Sequence, residues 1–489
     1  MLQGTASGVG KSLLVAGLCR LLSRSGISVA PFKPQNMSNA SAACSTGGEI
    51  GRAQALQAFA CGLEPHVDMN PVLLKPEADH RTQLVVSGEV RGTLMASRFR
   101  EDRLVLMPEV LAAFDRLAAS YDFVVVEGAG SPAEPNLRKG DIANMGFAQA
   151  ADVPVWLVGD IDRGGVFASL LGTLQALDEP DRQLVEAMVI NRFRGTRTLL
   201  GEACEWLEQR SQLNVLGCVP YLTDLALPEE DAPYSFRYGR GRTEVEDGGV
   251  SLAVGAIHYP RASNTTDLDP FASDPKIDFR WLSEPDSMVG LDLVVLCGSK
   301  AVVADLEWLR ANGWVEALQR HLRYGGKLLG VCGGLQMLGE RILDPLGIEG
   351  PTAAEGLGWL PIEVEMEADK LVRTVSGQAR WPSCVDFSGY EIRHGRSSAD
   401  EALYPFVAAS SDGQVMGTYV HGLFDRAQYR SAVLEHWLGH KAAPSQAQQD
   451  QHLIWQQDLD RLADALQDHL DLSLLQSRLP VALSGASGS

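Results

Sequence analysis

The segment GTASGVGKS, from Gly4 to Ser12, constrains this chain more than any other stretch. It runs into apolar residues at helical spacing (Leu13, Leu14, Ala16, Leu18, Leu21, Leu22). A glycine-rich loop ending in Gly-Lys-Ser at a helix start is built to hold phosphate. The backbone around Gly4, Thr5, Ser7 and Gly10 would cradle the phosphate oxygens, Lys11 would reach the terminal phosphates, and the Ser12 hydroxyl would sit on Mg2+. The expected ligand is therefore ATP with Mg2+. Such a loop belongs in an α/β sheet, after a buried strand. Two features are unusual. Five residues separate Gly4 from Gly10 where the common pattern has four. Only Met1-Leu2-Gln3 precede the loop, whereas strands usually run to about 5–6 residues, so either the central strand is stunted or the chain starts late.

The α/β pattern then recurs in two series. Ser28-Val29-Ala30, Phe123–Val126, Pro154–Val158 and Glu186–Asn191 read as buried parallel strands of the first. Ser251–Val254, Leu291–Leu296, Lys327–Val331 and Gly417–Val420 form the second. Between them the composition shifts to Pro, Gly and charge (LPEEDAPYSFRYGRGRTEVEDGG). A chain of 489 residues is long enough for two large units or about three ordinary ones. The predicted organisation is α/β, with two doubly wound parallel-sheet domains. They span 1–230 and 250–445, with a linker at 231–249. A tail at 446–489 is helical from Leu459 to Leu475 and ends in disordered Gly/Ser sequence.

Lys plus Arg number 42 against 62 Asp plus Glu, a net charge of −20, which excludes the basic face of a nucleic-acid binder. No apolar run approaches the roughly 18 residues of a membrane span. The eight cysteines are scattered without a CxxC pair, as in a reducing compartment. The glycine loop begins too early for a signal peptide. The expectation is a soluble cytoplasmic protein with no nucleic-acid or membrane partner.

Glu127 ends a hydrophobic strand, at the carboxyl edge where α/β sheets place ligands. There it can hold the magnesium that neutralises a transferring phosphate. Asp160 and Asp162 end the next strand, and for them a turn or helix-capping role is an equal alternative. Lys33, Gln35 and Asn36 follow another strand and are candidates for substrate contact.

In the second half, Cys332 stands between the strand Lys327–Val331 and a helical segment, flanked by glycines. That is the mechanics of a nucleophile elbow, and the helix N-terminus favours the reactive thiolate. His421 follows another strand and is the candidate base. Peptide N–H groups of Gly298 and Gly333 are placed to form an oxyanion hole.

Longer strings identify relatives. The loop spacing resembles the dethiobiotin-synthetase-like group, whose ATP phosphorylates a substrate carboxylate. Phe32–Met37 (FKPQNM), Gly48–Gln54 (GEIGRAQ), Met69–Pro76 (MNPVLLKP), Val126–Glu134, Asp141–Met145 and Val158–Ala168 closely resemble the cobyric acid synthases. The elbow, His421 and the Leu296–Lys300 turn resemble a class I glutamine amidotransferase domain, as do Gly356–Trp359, Gly389–Gly395 and Pro260–Asn264. The resemblance implies that Cys332 takes ammonia from glutamine. It implies further that ATP activates the b, d, e and g carboxylates of a corrinoid a,c-diamide, giving cobyric acid, with no bound prosthetic group. Lys33, Arg52, Lys75 and Arg163 are candidate cations for this anionic substrate.

The sequence departs from that pattern in three places. Leu423 stands where glutaminases place a Glu two residues after the histidine, leaving a Cys332–His421 dyad without an identified orienting group. Cys297 replaces a proline and Ala301-Val302 an Asn-Thr pair, which predicts an altered oxyanion loop. Two rival readings remain. One is cobyrinic acid a,c-diamide synthase, which shares both domain types, though the KPQNM, GEIGRAQ and MNPVLLKP strings favour the cobyric acid synthases. The other is a non-enzymatic phosphate-loop ATPase with a dead amidase domain.

Overall fold

The computed structural model describes residues 1–78, 81–95, 104–196, 200–228, 252–274, 276–349, 353–439 and 449–479. The chain divides into two compact units, Met1–Asp231 with Trp455–Ser489, and Ala232–Ile454. The predicted linker and the glycine-serine end lie outside the described residues.

In the first unit six parallel strands follow the order Val29–Phe32, Phe123–Val126, Leu2–Gly4, Val155–Asp160, Val185–Phe193 and Asn214–Pro220. A bridge between Leu2 and Glu127 joins its two halves. In this sequence the central strand comprises Leu2–Gly4. Its neighbours bury it on both sides, and the Gly128 amide donates to Leu2 O at 2.8 Å. Successive strands are laid down on either side of this strand, a switch point of the kind where open α/β sheets bind ligands. Lys11–Arg24, carrying the predicted apolar positions, packs on the sheet through Leu14, Val15, Leu18 and Leu22. A second, smaller sheet runs Gln35–Met37, Val72–Ala78, Arg81–Val86, Glu89–Met95, with one parallel and two antiparallel pairings.

The C-terminal tail is part of this unit's core. Trp455, Leu459, Leu462 and Leu466 of helix Gln451–His469 are buried in the same cluster as the Lys11–Arg24 helix. Arg20 and Arg24 pair with Asp460 (2.7 Å) and Asp464 (2.8 Å). An amphipathic helix needs such a partner, because helical stability comes from burying its apolar face.

The second unit is built on six strands ordered Ile277–Leu282, Leu252–Ile257, Leu293–Leu296, Lys327–Val331, Val415–Thr418, Phe406–Ala409. All pairings are parallel except the last. An antiparallel ribbon, Glu363–Gln378 with Asp386–Arg396, extends a second small sheet that the sequence reading did not anticipate. Its first strand is largely exposed and rich in charge, so it carries little of the apolar signal by which strands are recognised.

Candidate active sites

The first site stands where strand Leu2–Gly4 turns into helix Lys11–Arg24. Gly10 closes the loop at φ 92°, and a Cβ there would stand 2.3 Å from Asn191 Nδ2. Lys11 Nζ donates to the carbonyls of Ala6 and Gly130, each at 3.0 Å. Ser12 Oγ donates to Glu127 Oε1 at 2.8 Å, and Lys33 Nζ pairs with the same oxygen at 2.8 Å. The other oxygen, Oε2, accepts from Gln57 Nε2 at 2.6 Å and Gln54 Nε2 at 3.4 Å. Burial alone pushes the Glu127 carboxyl up. Lys33 foremost, then the hydrogen bonds from Gln57 and Ser12, reverse this and hold it below the usual carboxylate range. An ionised carboxylate beside a serine hydroxyl, at the end of a phosphate loop, is a hard-oxygen donor set that fits magnesium.

Asp160 takes other partners. Its carboxylate pairs with Arg192 Nη1 at 3.1 Å and accepts from the Asp162 amide at 2.9 Å, while Arg192 Nη1 also donates to Gly8 O at 2.8 Å. Through Arg192 the Asp160 carboxylate is tied to the phosphate loop. Asp162 pairs with Arg194 at 2.6 Å.

Gln35 and Asn36 are buried in strand Gln35–Met37, and Asn36 Nδ2 donates to Gln54 Oε1 at 2.9 Å. Lys75 is no surface cation. It is fully buried and paired with Glu49 at 2.5 Å, with Ser41 Oγ 2.8 Å away. Through these contacts Lys75 ties the Ser41–Ala43 and Glu49–Gly51 hairpin to strand Val72–Ala78.

The second site is assembled by three adjacent strands of the six-stranded sheet. Lys327–Val331 delivers Cys332 at φ 52°, ψ −105°, immediately before helix Gly333–Leu338. Its carboxyl-end neighbours deliver Gly298–Ser299 on one side and, three residues past Val415–Thr418, His421 on the other. Gly334 permits the corner, since a Cβ there would stand 2.1 Å from Leu296 O. Gly333 backs onto the next turn, its hypothetical Cβ 2.6 Å from Ser299 N. Gly298 and Gly333 are thereby brought together beside the nucleophile.

The orienting group missing from the sequence reading is Asp267. Its Oδ2 accepts from His421 Nδ1 at 2.7 Å and its Oδ1 from the Gly422 amide at 2.7 Å. Both His421 and Asp267 are buried. Burial would lower the imidazole pKa, but the Asp267 carboxylate, and after it the Cys332 sulfur hydrogen-bonded to the ring, raise it to about 10. Tyr390 stacks on the ring at 5.2 Å, and Asn264 Nδ2 lies 3.4 Å from Nε2. The acid is supplied from 154 positions upstream. It lies three residues beyond Asn264, just past the Pro260–Asn264 string, whereas the common glutaminase pattern places its acid two residues after the histidine.

The substituted turn is held by other means. Tyr259 OH donates to Cys297 O, and Ser299 Oγ donates to Asp305 Oδ2 at 2.6 Å while accepting from the Ala301 amide at 3.1 Å. The Val302 amide finds Glu349 Oε2 at 2.8 Å. The Cys297 thiol is fully buried, and burial drives its pKa well up, so it packs as a small apolar group.

A phosphate-loop nucleotide site and a Cys-His-Asp glutaminase site together define a glutamine-dependent, nucleotide-using amidotransferase. Residues 1–234 match the CobQ/CobB/MinD/ParA nucleotide binding domain family, and residues 253–429 the CobB/CobQ-like glutamine amidotransferase domain family. A curated relative from Halorhodospira halophila (strain DSM 244 / SL1), "Cobyric acid synthase", is 57% identical over 477 residues, 98% of this chain and 97% of its own. The chain belongs to the cobyric acid synthase family. Among solved structures, a glutamine amidotransferase aligns at 17% identity over 39% of this chain and 98% of its own, TM-score 0.27. The MinD cell division protein of Aquifex aeolicus aligns at 12% identity over 46% and 82%, TM-score 0.27. Among the described residues no helix is long and apolar enough to cross a membrane.

Proposed function

We propose that this chain amidates the b, d, e and g carboxylates of adenosylcobyrinic acid a,c-diamide to give cobyric acid, using ATP, Mg2+ and glutamine. The observation that carries the reading is the near-full-length 57% identity to a cobyric acid synthase. The Cys332–His421–Asp267 arrangement supports an active glutaminase over a dead amidase domain.

At the glutaminase, the Cys332 sulfur attacks the glutamine side-chain carbonyl carbon and His421 holds the thiol proton. The oxyanion takes hydrogen bonds from the Gly298 and Gly333 peptides. Collapse of the tetrahedral species breaks the C–N bond as His421 returns the proton to the leaving ammonia. Water, deprotonated by His421, then cleaves the thioester to glutamate. Asp267 keeps Nε2 aimed at sulfur by fixing Nδ1.

At the first site, the phosphate loop and Lys11 hold ATP while a corrinoid carboxylate oxygen attacks the γ-phosphorus. ADP leaves and an acyl phosphate forms. Ammonia then attacks the acyl carbon, phosphate leaves, and the amide is made. Ser12 and Glu127 would hold the magnesium, which when bound neutralises charge on the β- and γ-phosphates. Lys33 would stand against the transferring group, with Gln35 and Asn36 supporting its strand. The unpatterned cysteines favour a reducing cytoplasm.

The test compares wild type and Cys332→Ala with ATP, Mg2+ and the adenosylated a,c-diamide. Wild type should form the tetra-amidated product from glutamine or ammonium, and Cys332→Ala from ammonium alone. Product from neither source in the wild type would reject the reading.

A further inference from the structure

Glu127 is held from both sides, and the two sides differ in kind. Oε1 faces the groups expected to handle phosphate, Ser12 and Lys33. Oε2 takes two neutral amide donors from helix Arg52–Ala60, Gln57 at 2.6 Å and Gln54 at 3.4 Å. Gln57 Nε2 also donates to the backbone carbonyl of Ser12 at 3.2 Å, so one amide spans the carboxylate and the first turn of the phosphate-loop helix. Both acceptors are oxygens, which fixes the amide's orientation. Gln54 and Gln57 are completely buried, as is Glu127.

We propose that Gln57, aided by Gln54, is a positioning residue for the metal: by occupying Oε2 it leaves Oε1, the oxygen now shared by Ser12 and Lys33, as the one Glu127 turns to magnesium. An unclamped glutamate carboxylate can rotate and offer either oxygen or both, and magnesium tolerates little departure from octahedral geometry. Groups that hydrogen-bond a metal-ligating carboxylate commonly contribute about 10–100-fold to metal affinity. The helix is itself anchored for this purpose. The Gly51 amide donates to Asn70 Oδ1 at 3.0 Å, and the preceding Glu49 is locked by Lys75. Gln54 accepts from Asn36 as it donates to Glu127, so the same clamp ties the FKPQNM segment to the metal carboxylate. Charge explains why amides serve here. A second carboxylate would repel Glu127, and a second cation beside Lys33 would compete with the metal.

This inference rests on the reading of Ser12 and Glu127 as the magnesium site, and the test separates the two. Mn2+ affinity would be measured by electron paramagnetic resonance on the full chain with ATP and no corrinoid, alongside ATP binding without metal. Gln57→Met, equal in length but without a donor, should weaken Mn2+ about tenfold or more, and by a larger factor than it weakens metal-free ATP binding. Gln57→Asn keeps the polarity but cannot reach Oε2, and should shift Mn2+ in the same direction; it decides the matter if the Met variant fails to fold. Gln54→Leu should have a smaller effect. Wild-type Mn2+ affinity in a folded Gln57 variant, with affinity lost in Glu127→Gln, would overturn the clamp and leave the metal site standing. Unchanged affinity in Glu127→Gln would overturn the metal site itself.

Discussion

Both active sites are built at a corner where a parallel strand becomes a helix, yet the two corners accommodate their geometry in opposite ways. The phosphate loop places glycines at its left-handed positions, Gly8 at φ 70° and Gly10 at φ 92°. Backbone N–H groups are what bind phosphate there, so no side chain is needed where the chain turns. The glutaminase corner needs a side chain at the turn itself. Cys332 therefore takes φ 52°, ψ −105°, a conformation ordinarily left to glycine, while Gly333 and Gly334 open the space around it. One corner avoids strain; the other stores it at the reacting atom.

The contrast is tested most severely by Cys332→Gly. Glutamine hydrolysis should fall by about ten-thousandfold or more, since the nucleophile is gone. The second unit should nevertheless become more resistant to unfolding, by about 1 kcal/mol, because glycine adopts that backbone freely. Thermal unfolding that shows Cys332→Gly no more stable than Cys332→Ala would mean that the corner holds no strain.

Asp267→Asn should lower glutamine-dependent synthesis about a thousandfold with ammonium-dependent synthesis intact. It should also change the pH dependence of stability. The His421 pKa of about 10 in the folded protein lies above its ordinary 6.5, so folding takes up a proton between those values. The pair's contribution is fully present below pH 6.5 and is lost as pH rises through about 10. The melting temperature of the second unit should fall over that window in wild type, and the fall should flatten in Asp267→Asn. A slope unchanged by the substitution would show that Asp267 does not set the charge on His421.

How much of this was legible in sequence follows from how each group is positioned. Gly4 to Ser12 and Cys332 with its glycines are contiguous strings, because a single chain turn makes the site. Glu127 was readable because it ends an apolar strand. Asp267 was not, because its role depends on the fold bringing a separate loop to His421. Asp160 also ends a strand, and the sequence left metal binding and a turn role equal for it; its partner Arg192, arriving from the next strand, could not be read from strand position. The tail's helix was visible, but not that Leu462 and Leu466 complete the first unit's core.

Gly10→Ala probes the unstrained corner. A methyl at φ 92° is strained and, 2.3 Å from Asn191 Nδ2, would displace the amide that donates to Val9 O in the loop. ATP affinity should fall about a hundredfold, and Cys332 chemistry on glutamine should be spared. Isothermal titration with MgATP gives the answer, and tight binding by the variant would remove the argument that the loop tolerates no side chain there.

The smallest expected effects concern the turn that carries Gly298. If the substitution of Cys297 itself set the oxyanion geometry, removing its thiol would alter glutaminase turnover. The contacts argue otherwise. The thiol is a buried apolar filler, whereas the carbonyl of the same residue is held by Tyr259 OH, and the turn beyond it by Ser299, Asp305 and Glu349. Cys297→Ala should thus change the rate of glutamine hydrolysis less than about twofold. Tyr259→Phe removes one buried hydrogen bond, worth about 1 kcal/mol, and should slow it about fivefold through kcat with little change in KM. The reverse order of effects would return control of the turn to the cysteine side chain.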